Sequence, residues 1–193
     1  MTNKNNLKQA IAETIQTKNS LIDLEKDIKK TIQVIYKCIS NKGKIFFCGN
    51  GGSAADAQHL AAELLIRLRP KVNRNPIPSI CLTMDTSTLT ACGNDYNFNK
   101  IFSRPFEALA NKKDILFIIS TSGNSKNILE VLKVAKKKNI LSIGLLGSKG
   151  GLAKKFCNIS IIVKSNIVAR IQESHIFLGH FILENVENLL IKK

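Results

Sequence analysis

From Lys44 onward the chain reads as an α/β protein, a five-stranded parallel sheet with helices on both faces, preceded by N-terminal helices. Two observations predict this. Short apolar runs of strand length alternate with longer stretches of helical spacing, the pattern of a parallel sheet crossed over by helices. The residues directly after the first and third runs are crowded with glycines or hydroxyls, and in such sheets ligands bind at the carboxyl ends of the strands.

In order, Leu7 to Ser40 carries apolar residues at helical spacing (Leu21, Leu24, Ile28, Ile32, Ile35), which predicts two helices or one long bent one. Lys44–Cys48 is the first strand, followed by a helix over Ser53–Leu68. Ile80–Thr83 is the second, followed by helical stretches over Ser87–Cys92 and Asn99–Leu109. Ile115–Ser120 is the third, with a helix over Ser125–Lys138. Leu141–Leu146 and Ile159–Val163 complete the sheet, and a long helix covers Ile167–Ile191.

A length of 193 residues suits one domain spanning the chain, and 44% hydrophobic with 22% charged residues is ordinary for a globular protein. No apolar run approaches the roughly 18 residues of a membrane span. The start, Met1 to Gln16, is polar and lacks the apolar stretch of a signal peptide, so a cytoplasmic protein with no membrane partner is expected. The five cysteines are odd in number and form no C-x-x-C pair, which argues against a disulfide framework and a thiolate zinc site. They read as reduced and mostly buried.

The formal charge of +15 raises nucleic acid as a partner. The excess is mostly lysine in short runs such as Lys112–Lys113, Lys136–Lys138 and Lys154–Lys155. They fall where helices end and suit the helix dipole there. The chain is also rich in Asn and Ile, so compositional bias is the plainer reading, and nucleic-acid binding is not expected. A positive field would still draw in a phosphorylated sugar.

After the first strand comes Gly49-Asn50-Gly51-Gly52-Ser53, a turn that lets backbone approach a ligand and opens a helix whose free N–H groups attract anions. It is neither a P-loop nor G-x-G-x-x-G, and a glycine turn also serves simple packing. After the third strand comes Ser120-Thr121-Ser122-Gly123-Asn124-Ser125. One hydroxyl there would cap a helix; four exceed that need and fit phosphate binding.

Together these loops resemble the sugar isomerase (SIS) domain. With Asp56-Ala57-Gln58-His59, Glu63-Leu64, Gly93-Asn94-Asp95, Ala169-Arg170-Ile171-Gln172-Glu173-Ser174-His175 and His180, nearly the whole chain is similar to the phosphoheptose isomerase family. The resemblance implies a flavodoxin-like, three-layer SIS fold and a homotetramer with sites between subunits, residues 1–40 serving oligomerisation. It implies one zinc per site. The implied activity is conversion of sedoheptulose 7-phosphate to D-glycero-D-manno-heptose 7-phosphate, the first step towards nucleotide-activated heptose for cell-surface polysaccharide such as lipopolysaccharide or capsule. Substrate contacts would fall to Asn50, Gly51, Gly52, Ser53, Glu63, Asn94, Asp95, Ser120, Thr121, Ser122, Ser125 and Gln172, and the metal to His59, Glu63, Gln172 and His180. Some members carry Asp where this chain has Ala169, so that residue's role does not transfer.

Read independently, His59 and Glu63 are four apart on a helix and share a face, an arrangement that suits zinc or an ordinary surface pair. Gln172 and His180 are eight apart, about 12 Å of helical rise, too far for one metal from one straight helix. Either the helix is distorted or the two residues serve the site from different subunits, and the second is the favoured expectation. His175 is expected to be a packing residue. Ketose–aldose isomerisation needs a base beside a carbonyl and an acid to return the proton. Glu63 is the candidate base and His180 its partner, with Glu63 shared between base and metal ligand.

Three rivals remain. A non-catalytic SIS protein acting through a partner such as the replication initiator would lack the residues matching Glu63 and His180. A phosphosugar-sensing regulator would need a DNA-binding domain, for which about 40 N-terminal residues leave little space. An isomerase for another phosphosugar is the third, and the His59/Glu63/His180 set points away from it.

Overall fold

The computed structural model describes residues 6–191; the first five residues of the polar Met1–Gln16 stretch and the last two of the chain lie outside the described residues. Five strands form one parallel sheet: β1 (Ile45–Gly49), β2 (Ser79–Cys81), β3 (Ile115–Ser120), β4 (Leu141–Gly147) and β5 (Ile159–Val163). Their order is β2-β1-β3-β4-β5, with Phe47 opposite Cys81 on one side and Phe117 on the other. The chain leaves β1 towards β2 and then crosses back to β3, so strand order reverses between β1 and β3. That is where an open α/β sheet leaves a crevice for a ligand.

Every residue of β1 and β3 is buried. Helices therefore cover both faces, and alternate residues feed two separate cores. Ile45, Phe47, Phe117 and Ile119 pack beneath α2 (Glu25–Ser40), α3 (Gly52–Leu65) and α7 (Val168–Ile191). Phe46, Cys48, Leu116 and Ile118 pack on the other side with residues of α4 (Thr86–Asp95), α5 (Ser103–Leu109) and α6 (Lys126–Lys137).

The N-terminal segment resolves into α1 (Leu7–Asn19), a 3-10 turn over Ser20–Leu24, and α2. Asn6 caps α1 by accepting from the Gln9 N–H at 2.8 Å. Two expected helices are shorter than their periodicity suggested. The helix after β1 stops at Leu65 instead of Leu68, with Ile66 as its cap and Pro70 close behind. The stretch over Asn99–Leu109 splits into a 3-10 turn (Phe98–Lys100) and α5. Pro105 has no N–H, so a continuous helix would lose its bond to Ile101; the residue is tolerated in the first turn of α5 instead.

Of the lysine runs, Lys136–Lys137 occupy the last turn of α6 and Lys154–Lys155 end a 3-10 turn (Ala153–Lys155), as the helix-dipole argument requires, whereas Lys112–Lys113 fall beyond α5, which ends at Leu109 with no basic residue in its last turn. All five cysteines are free, four of them buried. No described helix is long and apolar enough to cross a membrane.

Candidate active site

Two loops flank the crevice between β1 and β3. In the first, Gly51 caps α3 at φ 55° and ψ −123°, a conformation that a side chain would strain. Gly52 follows, and a Cβ on it would lie 2.5 Å from Gln172 Nε2, so the Gln172 amide of α7 sits directly against it. Ser53 is buried in the first turn of α3.

In the second loop, the Ser120 hydroxyl accepts from the Gly123 N–H (3.1 Å) and the Ser122 hydroxyl from the Asn124 N–H (3.2 Å). Ser125 is the N-cap residue of α6, yet its side chain makes no capping bond. Capping therefore does not account for the Ser125 hydroxyl, and the first-turn amide of Ile128 is met by Asn127 Oδ1 instead (2.9 Å).

Asn127 also joins the two loops. Its side chain and that of Asn50 exchange two amide hydrogen bonds, 2.9 and 2.8 Å long, across the switch point. Sequence reasoning missed Asn127; the only hint was a polar residue at a position of α6 that faces the sheet, and it is 2% exposed. Asn94 and Asp95, at the end of α4, are exposed and bonded to each other at 2.9 Å, with no hydrogen bond to either loop among the described residues.

Further down α3, three side chains converge. His59 Nε2 lies 3.2 Å from Glu63 Oε1 and 2.8 Å from His180 Nε2. Ligand atoms of His59, Glu63 and His180 all fall within 4.8 Å of one another. They meet because α7 lies alongside α3. Gly179 makes this close approach possible, since a Cβ there would sit 2.6 Å from Leu60 Cδ2, one residue away from the histidine pair.

His180 thus reaches His59 and Glu63 from the same chain, and the expected sharing between subunits is not needed for these three. Gln172 does not join them. The unbroken α7 puts it about 12 Å of rise from His180, with its amide against Gly52. Within one chain the Gln172 amide therefore lies at the loop end, away from His59, Glu63 and His180.

The donor set of this group is one that could hold a metal ion or pass a proton. Two imidazoles and a carboxylate are donors that zinc takes. Glu63 Oε2 is buried without a hydrogen-bond partner among the described residues, which leaves it free to take a cation or a proton. Burial, with the neighbouring His59, holds the His180 imidazole below the ordinary histidine range, partly offset by Glu63 and Glu184. Burial raises the pKa of Asp56, one turn before His59, which softens the rise; its Oδ2 also lacks a partner among the described residues.

His175 is the packing residue that was expected. It is fully buried, and burial drives its pKa down to about 4, with only the Leu146 carbonyl opposing. Neither ring nitrogen makes a hydrogen bond of good geometry among the described residues. Ala169 is exposed at the start of α7.

A family model described as the SIS domain matches residues 8–147. The chain is 51% identical over 166 residues to a phosphoheptose isomerase of Campylobacter concisus, covering 86% of this chain and 87% of that one. Among solved structures it is similar to a phosphoheptose isomerase from Francisella tularensis, with a TM-score of 0.91 and 34% identity over 97% of this chain and 100% of that one. A phosphoheptose isomerase from Neisseria gonorrhoeae gives a TM-score of 0.86 and 38% identity over 93% and 95% of the two chains.

Proposed function

The chain belongs to the SIS domain family and, within it, to the phosphoheptose isomerases, and from that premise we propose that it converts sedoheptulose 7-phosphate to D-glycero-D-manno-heptose 7-phosphate. The observation that carries the catalytic part is the meeting of His59, Glu63 and His180 within one chain. The phosphate lies against the hydroxyls and amides of Ser120–Ser125 and the backbone of Asn50–Ser53. Gly52 and His59 are seven residues apart on α3, about 10.5 Å of rise. An extended seven-carbon sugar phosphate is of that length, so its reactive carbons reach the imidazole–carboxylate group.

At that end Glu63 removes the proton from the carbon beside the carbonyl, and His180 moves the proton of the neighbouring oxygen, giving a cis-enediol that is reprotonated at the adjacent carbon. Glu63 has one carboxylate oxygen beside His59 and one unpaired, so the two roles expected of it use different atoms. Gln172, packed on Gly52, orients the substrate; Asn94 and Asp95 close over it from α4.

His59, Glu63 and His180 would hold one zinc ion. When bound there, zinc supplies Lewis acidity towards the carbonyl oxygen. The non-catalytic alternative gains nothing from the geometry, since such a protein has no use for a convergent base and imidazole.

The protein works as one cytoplasmic SIS domain assembled into a homotetramer. In support, Leu7, Ile11 and Ile15 stand exposed at four-residue spacing along α1, and Phe177 and Phe181 are half-exposed on α7, which leaves an apolar surface for a second copy. Its product feeds nucleotide-activated heptose for surface polysaccharide.

The test is to incubate purified protein with sedoheptulose 7-phosphate, with and without chelator, and follow the sugar by NMR. Appearance of the heptose 7-phosphate, lost with chelator and restored by zinc, is expected. No conversion in the zinc-loaded protein refutes the reading.

A further inference from the structure

The segment between α3 and β2 carries two arginines that meet one buried glutamate of α7. Glu187 is 1% exposed. Its Oε1 accepts from Arg74 Nε and its Oε2 from Arg69 Nε, both at 2.7 Å. The rest of the Arg74 guanidinium turns the other way. Nη2 donates to the carbonyl of Glu63 at 2.6 Å, and Nη1 to the carbonyl of Leu64 at 2.9 Å. These are carbonyls of the last turn of α3, which the helix itself leaves without donors.

The contacts close a ring. Glu63 is tied through its backbone to Arg74, and Arg74 to Glu187. Glu187 stands seven residues, two turns, beyond His180 on α7 and so on the same face. His180 returns through His59 to Glu63. We propose that Arg74 and Glu187 are positioning residues, a clamp that sets the separation between Glu63 on α3 and His180 on α7. The grip falls on the carbonyl of the residue that carries the carboxylate, so besides filling a helix-end acceptor it fixes where the Glu63 backbone sits. A guanidinium is suited to this because its planar fork holds several acceptors in fixed directions, which an ammonium cannot do. Arg69 shares Glu187 but bonds onward to Asn188 and Glu184 of α7, not to α3, so it lies outside the ring.

The catalytic part of this inference rests on the function proposed above, so the test has one arm that does not depend on it. Arg74→Lys and Arg69→Lys are compared with the parent protein by kinetics, by cobalt titration read from the visible absorption of the bound ion, and by hydrogen exchange of the peptide spanning residues 59–66. In Arg74→Lys, kcat falls and cobalt affinity weakens by roughly tenfold or more, the size of a lost charge-assisted hydrogen bond, with KM little changed. Exchange at the end of α3 quickens by a similar factor. In Arg69→Lys all three stay within about twofold even where the melting temperature drops as far.

If Arg74→Lys does not fold, Glu187→Asp, which withdraws the carboxylate by one methylene, is held to the same pattern. Equal effects from the two arginines, or unchanged exchange in Arg74→Lys, overturn the clamp. A parent protein that neither isomerises the sugar nor takes up cobalt overturns the functional reading instead, and the exchange arm still decides whether Arg74 holds the end of α3.

Discussion

The Nε2 atoms of His59 and His180 lie 2.8 Å apart although 121 residues separate them in the chain. At that distance one ring can donate to the other, and with both lone pairs turned inward the same two atoms could instead hold a shared cation.

Removing either proton-transfer group should stop turnover without unfolding the protein. Glu63→Gln and His180→Gln each keep size and polarity, so the packing of α3 on α7 survives. We expect kcat to fall at least ~100-fold, the low end of what a positioned acid or base contributes, with an unchanged circular dichroism spectrum. Near-normal rates in either variant would overturn the assignment.

Zinc should stabilise the folded protein through the same three residues. An ion bound only by the native state at 100 times its dissociation constant adds about 2.7 kcal/mol. Thermal melts with added zinc should therefore shift upward, and His59→Ala should abolish the shift. An equal shift in His59→Ala would place the ion elsewhere.

Acid should weaken the fold through His175. Its folded-state pKa is about 4, below the ordinary 6.5, because the charged ring cannot be accommodated in the core. Above pH 6.5 the ring is neutral in both states and costs nothing. As the pH falls from 6.5 towards 4, the unfolded chain takes up a proton that the folded chain refuses, and stability drops by about 3 kcal/mol across that window. Urea unfolding at pH 7 and pH 4.5 should show this loss, and a His175→Leu variant should show much less of it. Identical pH dependence in both proteins would refute the argument.

The amide pair across the switch point should matter for substrate affinity. Asn127→Leu removes both bonds to Asn50 and the cap on Ile128. Stability should fall by roughly 1–3 kcal/mol for the buried groups left unpaired. KM for the phosphosugar should rise several-fold, because the two loops proposed to hold the phosphate lose their register, while kcat holds. A fall in kcat with KM unchanged would show that the pair serves the catalytic end instead.

Much of this molecule could be read along the chain, because the signals are local. Apolar runs such as Ile115–Ser120 are strand-length, and the stretch from Lys126 to Lys137 buries one helical face, so five strands and their crossovers emerge from spacing alone. His59 and Glu63 share a face for the same reason. Where spacing failed, a specific contact or backbone constraint intervened. Pro105 split a helix that periodicity carried through it, and α3 ends at Leu65 while apolar spacing continues to Leu68.

By itself, then, the amino-acid order determined which segments are strands and helices, which loops stand at the carboxyl edge of the sheet, and which residue types there suit a phosphate and a metal. Only the tertiary structure decided that His180 joins His59 and Glu63 within one chain while Gln172 goes to Gly52, that Asn127 ties the two loops, and that Glu187 receives Arg74. The reason is physical: periodicity says which face of a helix is buried, but which helix lies against it depends on sheet order and on close approaches such as Gly179 on Leu60.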